Sequence, residues 1–255
     1  MKVFVYRISM FGNFRKFVPN SENIISWLQG FKNAGYDFTT SIIQGPETTI
    51  SVDQRQVHHR EADKRIQFMS LEGNLAVRFL GERLDVEFIG GQFENGSQYF
   101  REKLLQATKL FEVAHELLEN KRGTRLAYFV DILIEEDVNI NFSNLYQENN
   151  NINLNGYDGE YIEWGHRFNK RVVLNFEDFQ EESNAILQLE SGAMWFDENP
   201  NEIIKGLHVM ADINTIGENE ADRFDRDVAS KYFAEAQNVY LQLYEQILAK
   251  KHGTE

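Results

Sequence analysis

The sequence predicts an α+β protein of two related halves, each an antiparallel β-meander packed under one long amphipathic helix. Short runs in which apolar and polar residues alternate, separated by glycines, indicate antiparallel strands. Two long segments repeat apolar residues at steps of four and three, which is typical of a helix with one buried stripe. A chain of 255 residues, of which 42% are hydrophobic, is long and apolar enough to enclose a sizeable core.

The first half opens with a strand over about 2–9 and a helix over about 21–35. Ser21 is placed to cap this helix and Gly35 to end it. Two strands then follow within residues 37–53. The adjacent histidines of the next segment, VHHRE, are interpreted as part of a polar loop, because neighbours on a strand point to opposite faces and cannot bind one ion.

A three-stranded meander and a long helix complete this half. Alternation over 64–91 is interrupted at Gly73 and Gly81, which divides the segment into three strands. A helix over about 97–120 comes next, and Gly123 is predicted to supply its left-handed exit. The apolar stripe of this helix consists of Phe100, Leu104, Ala107, Phe111, Ala114 and Leu118.

The second half repeats this order in outline. Residues 184–196 are interpreted as a hairpin about Gly192, followed by a strand over 206–213. A helix over about 225–251 has Asp225 as its predicted cap. Internal duplication explains the recurrence, although hairpins followed by helices are common enough for chance to explain it too. The second stripe consists of Ala229, Phe233, Ala236, Tyr240, Leu243 and Ile247.

The halves are assigned to residues 1–138 and 160–255, with residues 139–159 as the joint. The segment 139–156, NINFSNLYQENNNINLNG, holds eight asparagines in eighteen positions. Asparagine tolerates left-handed backbone and bonds to its own neighbours, so it favours turns over regular elements.

The net charge of −14 is unevenly distributed. Residues 1–138 hold 17 basic and 19 acidic side chains, whereas residues 139–255 hold 9 and 21, so the two parts carry −2 and −12. This balance argues against direct nucleic-acid binding, which needs clustered basic residues. The acidic half is interpreted either as a solvated surface that promotes solubility or as a docking face for a basic partner.

Several classes of site and location are excluded or disfavoured by composition. The chain has no cysteine, so disulfides, thiolate metal sites and thiol nucleophiles are excluded. No window approaches the length of a membrane span, and no export signal is recognised, which predicts a cytoplasmic protein without membrane contact. Motifs for phosphate, dinucleotide or serine-nucleophile chemistry are absent, and no cofactor is expected.

Two near-motifs are set aside as structural. AHELLE approaches a zinc-binding helix motif, but it lacks the second histidine, so a His115–Glu119 pair on a helix surface is the preferred interpretation and no metal site is predicted. The acidic segment 211–227 does not have the spacing of a calcium loop. Helix capping explains most of its acids.

The densest cluster of polar and aromatic residues is GYDGEYIEWGHRFNKR. Glu163 and His166 are its candidate acid–base residues, while Trp164 and Arg167 are candidate binding residues. The competing interpretation is an edge strand whose tryptophan packs on the core and whose charges face water. Further along the chain, two polar residues follow a buried-looking strand; the catalytic candidate there is Asp212 and the binding candidate is Asn214.

Four stretches of residues 64–224 resemble a group of uncharacterised, sporadically distributed bacterial hypothetical proteins without known activity. They are KRIQFMSLEGNLAVRFLGERLDVEF, GTRLAYFVDILIEE, EWGHRFNKR and DINTIGENEADRF. The resemblance implies no catalytic residue. Genes of such sporadic families often lie in mobile or antiphage-defence neighbourhoods, which suggests a biological context but no mechanism.

The favoured function is a non-catalytic binding or regulatory protein with a basic protein partner, within a bacterial antiphage-defence or toxin–immunity system. One alternative is a hydrolase or nuclease with a carboxylate–histidine site drawn from Glu163, His166, Asp212 or Glu190. Another is a structural subunit, because Tyr232 and Val239 could extend an apolar helix face used in a homodimer.

Overall fold

The computed structural model of the chain shows an α+β architecture with one large antiparallel sheet and three helices among the described residues. The predicted joint, 139–159, lies outside these residues. In the described part, no helix combines the length and apolarity needed to cross a membrane. The described residues are 1–14, 20–44, 47–51, 56–60, 64–135, 164–176, 179–196 and 199–251.

The elements are numbered in chain order. The helices are α1 (Ser21–Asn33), α2 (Gly96–Leu117) and α3 (Arg226–Lys251). The strands are β1 (Lys2–Phe11), β2 (Phe38–Gln44), β3 (Glu47–Ser51), β4 (Gln56–Arg60), β5 (Lys64–Ser70), β6 (Leu75–Phe79), β7 (Arg83–Ile89), β8 (Arg125–Glu135), β9 (Trp164–Phe176), β10 (Phe179–Phe196) and β11 (Asn199–Thr215).

Nine strands form the large sheet in the order β2-β5-β6-β7-β1-β8-β11-β10-β9. Strands β1 and β8 lie side by side in the middle, and the meanders β5–β7 and β9–β11 extend from them to either side. β3 and β4 form a separate hairpin. His58 and His59 therefore lie on strand β4, and the prediction of a loop at VHHRE is wrong, because pairing with β3 stabilises an extended backbone there.

All three helices pack on one face of the sheet. Trp27 of α1 stacks on Phe79 of β6 with ring centroids 4.8 Å apart, and Phe100 of α2 stacks on Tyr6 of β1 at 6.3 Å. Strand pairing places Phe79 and Tyr6 on the same face of the sheet. The large residues of this face are fully buried, so the core lies between the helices and the sheet.

The two long helices meet each other above the central strands. Phe111 of α2 and Phe233 of α3, both fully buried, pack edge to face at 5.6 Å. Gln237 of α3 accepts hydrogen bonds from the hydroxyls of Tyr6 and Tyr128, at 3.3 and 3.4 Å. One buried amide oxygen therefore satisfies a tyrosine from each central strand.

The helix ends differ from the sequence predictions in two of four cases, and Gly35, with φ of 89°, does end α1 as predicted. Asn20, rather than Ser21, caps α1 by accepting from the backbone N–H of Asn23 at 2.8 Å. The left-handed exit of α2 uses Glu119 and Asn120, with φ of 54° and 55°, rather than Gly123. Asp225 does cap α3, since its carboxylate accepts from the N–H of Val228 at 3.0 Å.

His115 is buried in the core instead of lying on a helix surface with Glu119. Its Nδ1 lies 3.3 Å from the amide oxygen of Asn120, and its Nε2 lies 2.9 Å from the carbonyl oxygen of Lys121. Burial lowers the pKa of His115, against the effect of these two bonds. The ring therefore organises the end of α2.

The predicted hairpin about Gly192 is wrong. β10 runs unbroken from Phe179 to Phe196, and Gly192 pairs with Gly206 of β11 in continuous register. Pairing with β11, which extends along β10 from Ser183 to Phe196, outweighs the local preference of glycine for turns.

Candidate functional site

The sheet face opposite the helices carries the charged side chains of the central strands. Side chains alternate along a strand, so Tyr6 and Ile8 of β1 face the helices while Arg7 and Ser9 face the other way. We call this second surface the open face. Arg7 pairs in register with Glu87 and Ser9 with Asp85, so polar residues of β7 lie on the same face.

Two ion-pair clusters cover the β6–β7–β1 part of the open face. Glu87 pairs with Arg78 at 2.6 Å and with Arg7 at 3.5 Å. Asp85, fully buried, accepts from the Ser9 hydroxyl at 2.6 Å and pairs with Arg83 at 2.8 Å. Burial raises the pKa of Asp85, while Arg83 and Ser9 act in the opposite direction.

A carboxylate–histidine–carboxylate cluster spans β8, β11 and β10. His208 Nε2 lies 2.5 Å from Asp131 Oδ1, and His208 Nδ1 lies 3.5 Å from Glu190 Oε2. The ring of Phe4 packs edge-on against the His208 ring, with the ring centroids 5.8 Å apart. The hydrogen bond to Asp131 raises the pKa of His208, while desolvation acts to lower it.

This cluster does not have the arrangement of a general acid–base site. A histidine that acts as a base needs one ring nitrogen free to take a proton from a substrate. Both nitrogens of His208 instead face carboxylates, which stabilise the doubly protonated, cationic ring. In the described ranges, no group of three or more histidine, aspartate or glutamate side chains is arranged to hold a metal ion.

A cleft of about 510 Å³ lies at the end of the sheet where β1 stops and β7 and β8 begin. We call it the end cleft. Backbone hydrogen bonds join its walls: Gly12 N–H donates to Glu82 at 3.0 Å, and Thr124 N–H donates to Phe11 at 2.8 Å. These bonds connect the parts of the lining that come from the ends of β1, β7 and β8. The lining residues are Phe11, Gly12, Asn13, Glu82, Thr124, Arg125, Gly217, Asn219, Glu220 and Asp222.

The end cleft has a rim of three exposed carboxylates and one basic residue that is partly buried. Glu82, Glu220 and Asp222 contribute carboxylates and are exposed. Among the described residues of the lining, Arg125 is the single cationic side chain, and its guanidinium lies over the Phe11 ring at 4.7 Å. The cleft therefore favours cationic ligands overall and offers one defined contact to an anion.

The candidates from the β9 region lie on an edge strand. Trp164 packs on the core, and His166 follows it on the same face with ring centroids 5.4 Å apart. Arg167 is exposed and pairs in register with Gln188. Of the described strands, β9 is the last in the sheet, which fits the edge-strand interpretation. Glu163 lies outside the described residues.

Asp212 and Asn214 lie together on the open face of β11, where the Asn214 amide donates to the Asp212 carboxylate at 2.9 Å. His166 lies on the helix-side face, so the structure does not bring His166 and Asp212 into one site. Glu190 lies elsewhere, beside His208.

Sequence reasoning missed both Arg125 and Glu82 as site residues. The end cleft is assembled from chain segments near residues 12, 82, 124 and 220, and none of these segments carries a motif of its own. Only strand pairing brings them together.

Comparisons with known proteins do not identify a family. No protein-family model matches the chain, and no curated protein matches it. Three chains of solved structures do match. One is the di-domain ARO/CYC StfQ from the steffimycin biosynthetic pathway, with 10% identity, coverage of 98% of each chain and a TM-score of 0.20. A TM-score this low does not establish a shared fold.

Proposed function

We propose that this chain is a non-catalytic binding protein with a regulatory role, and that its partner is a protein with a basic surface. The end cleft is the observation that carries the proposal. Three exposed carboxylates stand around a depression, and backbone hydrogen bonds join the β1, β7 and β8 segments that line it. Such an acidic surface attracts basic side chains and repels acidic ones.

The arrangement of titratable groups supports binding over catalysis. His208 has a carboxylate on each side, and Asp85 is enclosed by Arg83 and Ser9. These groups are engaged with one another rather than directed at a cleft. The resemblance to sporadic bacterial proteins supports a setting in antiphage defence or toxin–immunity, where a regulatory protein would hold its partner through such a surface.

The partner we propose is a different protein rather than a second copy of this chain. Tyr232 is fully buried, and Val239 packs against the core, so neither residue offers an apolar surface for a homodimer.

Removing the charges of the three rim carboxylates tests this function. We expect the triple variant Glu82→Gln, Glu220→Gln, Asp222→Asn to lose the protein that the wild-type chain captures from its native host, because the basic partner loses its counter-charges. Quantitative mass spectrometry of pull-downs at 50 and 500 mM salt measures this, and salt should weaken the wild-type complex in the same way.

The matched control neutralises three exposed carboxylates toward the opposite end of the sheet, Asp37→Asn, Glu72→Gln and Glu94→Gln. It changes the net charge equally and should retain capture. The proposal is refuted if both triple variants lose the captured protein equally. It is also refuted if capture by the chain depends neither on the three rim carboxylates nor on salt.

We also propose that the two halves arose by internal duplication. The strand order supports this, since β5-β6-β7-β1 on one side is mirrored by β9-β10-β11-β8 on the other, and a long helix follows each meander. Under this proposal β8 opens the second half, so we set the boundary just before Arg125, and the asparagine-rich stretch then falls within the second half.

A further inference from the structure

Arg125 forms no ion pair with a carboxylate among the described residues, in contrast to three other arginines of the open face. Arg7, Arg78 and Arg83 each form an ion pair with Glu87 or Asp85. Arg125 makes a cation–π contact with Phe11, and its Nε is buried without a hydrogen-bond partner. An arginine held in this way has its remaining N–H groups available to a ligand in the end cleft.

The stacking on Phe11 also fixes the direction of the guanidinium. Arg83 lies over the same ring at 5.6 Å while it pairs with Asp85, so the ring is flanked by two arginines. A planar guanidinium that is already oriented binds a carboxylate through two parallel hydrogen bonds with a smaller loss of rotamer freedom. Arg125 is therefore suited to receive a carboxylate.

An isolated anion does not fit this cleft. Glu82, Glu220 and Asp222 stand around the same depression and repel a ligand that carries negative charge alone. A ligand that satisfies the whole lining must carry one carboxylate and several positive charges within a short distance. A polypeptide that ends in basic residues has this composition.

We infer that the end cleft binds the C-terminal end of a basic polypeptide, with Arg125 receiving the terminal carboxylate and the rim carboxylates receiving the side chains of the preceding lysines or arginines. This inference rests on the proposed function and specifies which part of the basic partner enters the cleft. The rim provides attraction, and Arg125 distinguishes a chain end from an internal basic segment.

Two synthetic hexapeptides test the inference directly. Both end in Lys-Arg-Lys and carry a fluorophore at the N-terminus, but one has a free C-terminal carboxylate and the other a C-terminal amide. We expect the free acid to bind the wild-type chain at least about tenfold more tightly, as measured by fluorescence anisotropy, because a charge-assisted bond to Arg125 is lost in the amide. General attraction to an acidic cleft predicts the opposite order, because the amide is more positive by one charge.

Substitutions of Arg125 test whether this residue causes the preference for the free acid. In Arg125→Gln the preference should reverse in favour of the amide, while Arg125→Lys should retain part of the preference for the acid because it keeps the charge but not the planar geometry. Equal binding of the two peptides to the wild-type chain, tighter binding of the amide, or no binding of either peptide would overturn the inference. The wild-type comparison decides the matter even if a variant fails to fold.

Failure of this inference can be separated from failure of the proposed function. If both peptides bind equally, and the rim triple variant loses them, the basic-partner function stands and the role of Arg125 is wrong. If the rim variant retains its native partner in the pull-down, the proposed function itself is wrong.

Discussion

His208 links three strands of the sheet through charge. It stands on β11 between Asp131 of β8 and Glu190 of β10, with about one fifth of its side chain exposed. A neutral imidazole can donate only one hydrogen bond, so one of the two carboxylates would then face a ring nitrogen that carries no hydrogen. Protonation removes this conflict, which is why the hydrogen bond to Asp131 raises the pKa of His208.

The raised pKa predicts how stability changes with pH. Because the folded pKa of His208 lies above its unfolded value of about 6.5, the stabilisation is fully present below about pH 6.5 and is lost as the pH rises through the folded pKa. We therefore expect the difference in free energy of unfolding between the wild type and His208→Gln to be largest near pH 5.5 and to shrink by pH 8.5. Urea unfolding followed by circular dichroism at several pH values measures this difference.

Asp131→Asn is the control, because it removes the main cause of the raised pKa while leaving the histidine in place. It should flatten the pH dependence. A gap between wild type and His208→Gln that stays constant or widens toward alkaline pH would contradict the assignment.

Strand β11 lies between the central strand β8 and the outer strands β10 and β9. One glycine of β11 determines how closely this strand approaches β8. A Cβ at Gly206 would lie 2.5 Å from the carbonyl oxygen of Ile134 and 2.9 Å from Leu133. The first contact is with backbone, which cannot move aside without disturbing the β8–β11 ladder. The glycine at this position is therefore required by strand packing.

Gly206→Ala should destabilise the protein by about 1–3 kcal/mol, which is the usual cost of forcing extra volume into a packed region. This clash opposes the small gain that alanine normally brings by reducing the freedom of the unfolded chain. Thermal or urea denaturation measures the change. Gly217→Ala is the matched control, since nothing lies within 4 Å of the added Cβ, and it should stay within about 0.5 kcal/mol of the wild type. Equal effects of the two substitutions would show that packing against β8 is not the cause.

At the scale of the whole molecule, the two sides of the sheet share one core. β1 and β8 pair over most of their length, and Phe111 and Phe233 connect the two long helices above them. Separate unfolding of either side would expose this shared apolar surface to water, at a cost in free energy proportional to its area. We therefore expect both sides of the sheet to unfold together.

Tryptophan fluorescence tests this cooperativity. The chain has three tryptophans, Trp27 on the first side and Trp164 and Trp195 on the second. We expect a variant with only Trp27 (Trp164→Phe, Trp195→Phe) and a variant without it (Trp27→Phe) each to show fluorescence and circular dichroism midpoints that coincide in urea. Each variant serves as its own reference, because the two signals are compared within it. Fluorescence and circular dichroism transitions that separate would show that the sides unfold independently.

The sequence by itself determined the features that depend on local pattern. Alternation of apolar and polar residues, interrupted by glycines, identified the strands of the first meander. Apolar residues at steps of four and three identified the segments that form α2 and α3. The cap at Asp225 followed from its own side chain. Local patterns gave wrong predictions where strand pairing outweighed the conformational preference of single residues, as at Gly192 within β10 and at the histidines of β4.

Only the tertiary structure decided which residues meet. The order of nine strands places β1 beside β8 and thereby brings Phe11 and Arg125 into one cleft with Glu82 and Asp222, although more than 200 residues separate the ends of this set. The same order separates His166 from Asp212 by putting them on opposite faces. Periodicity reports which face of its own strand a residue occupies, but contact between distant segments depends on strand order and register, which are set by the packing of the entire sheet.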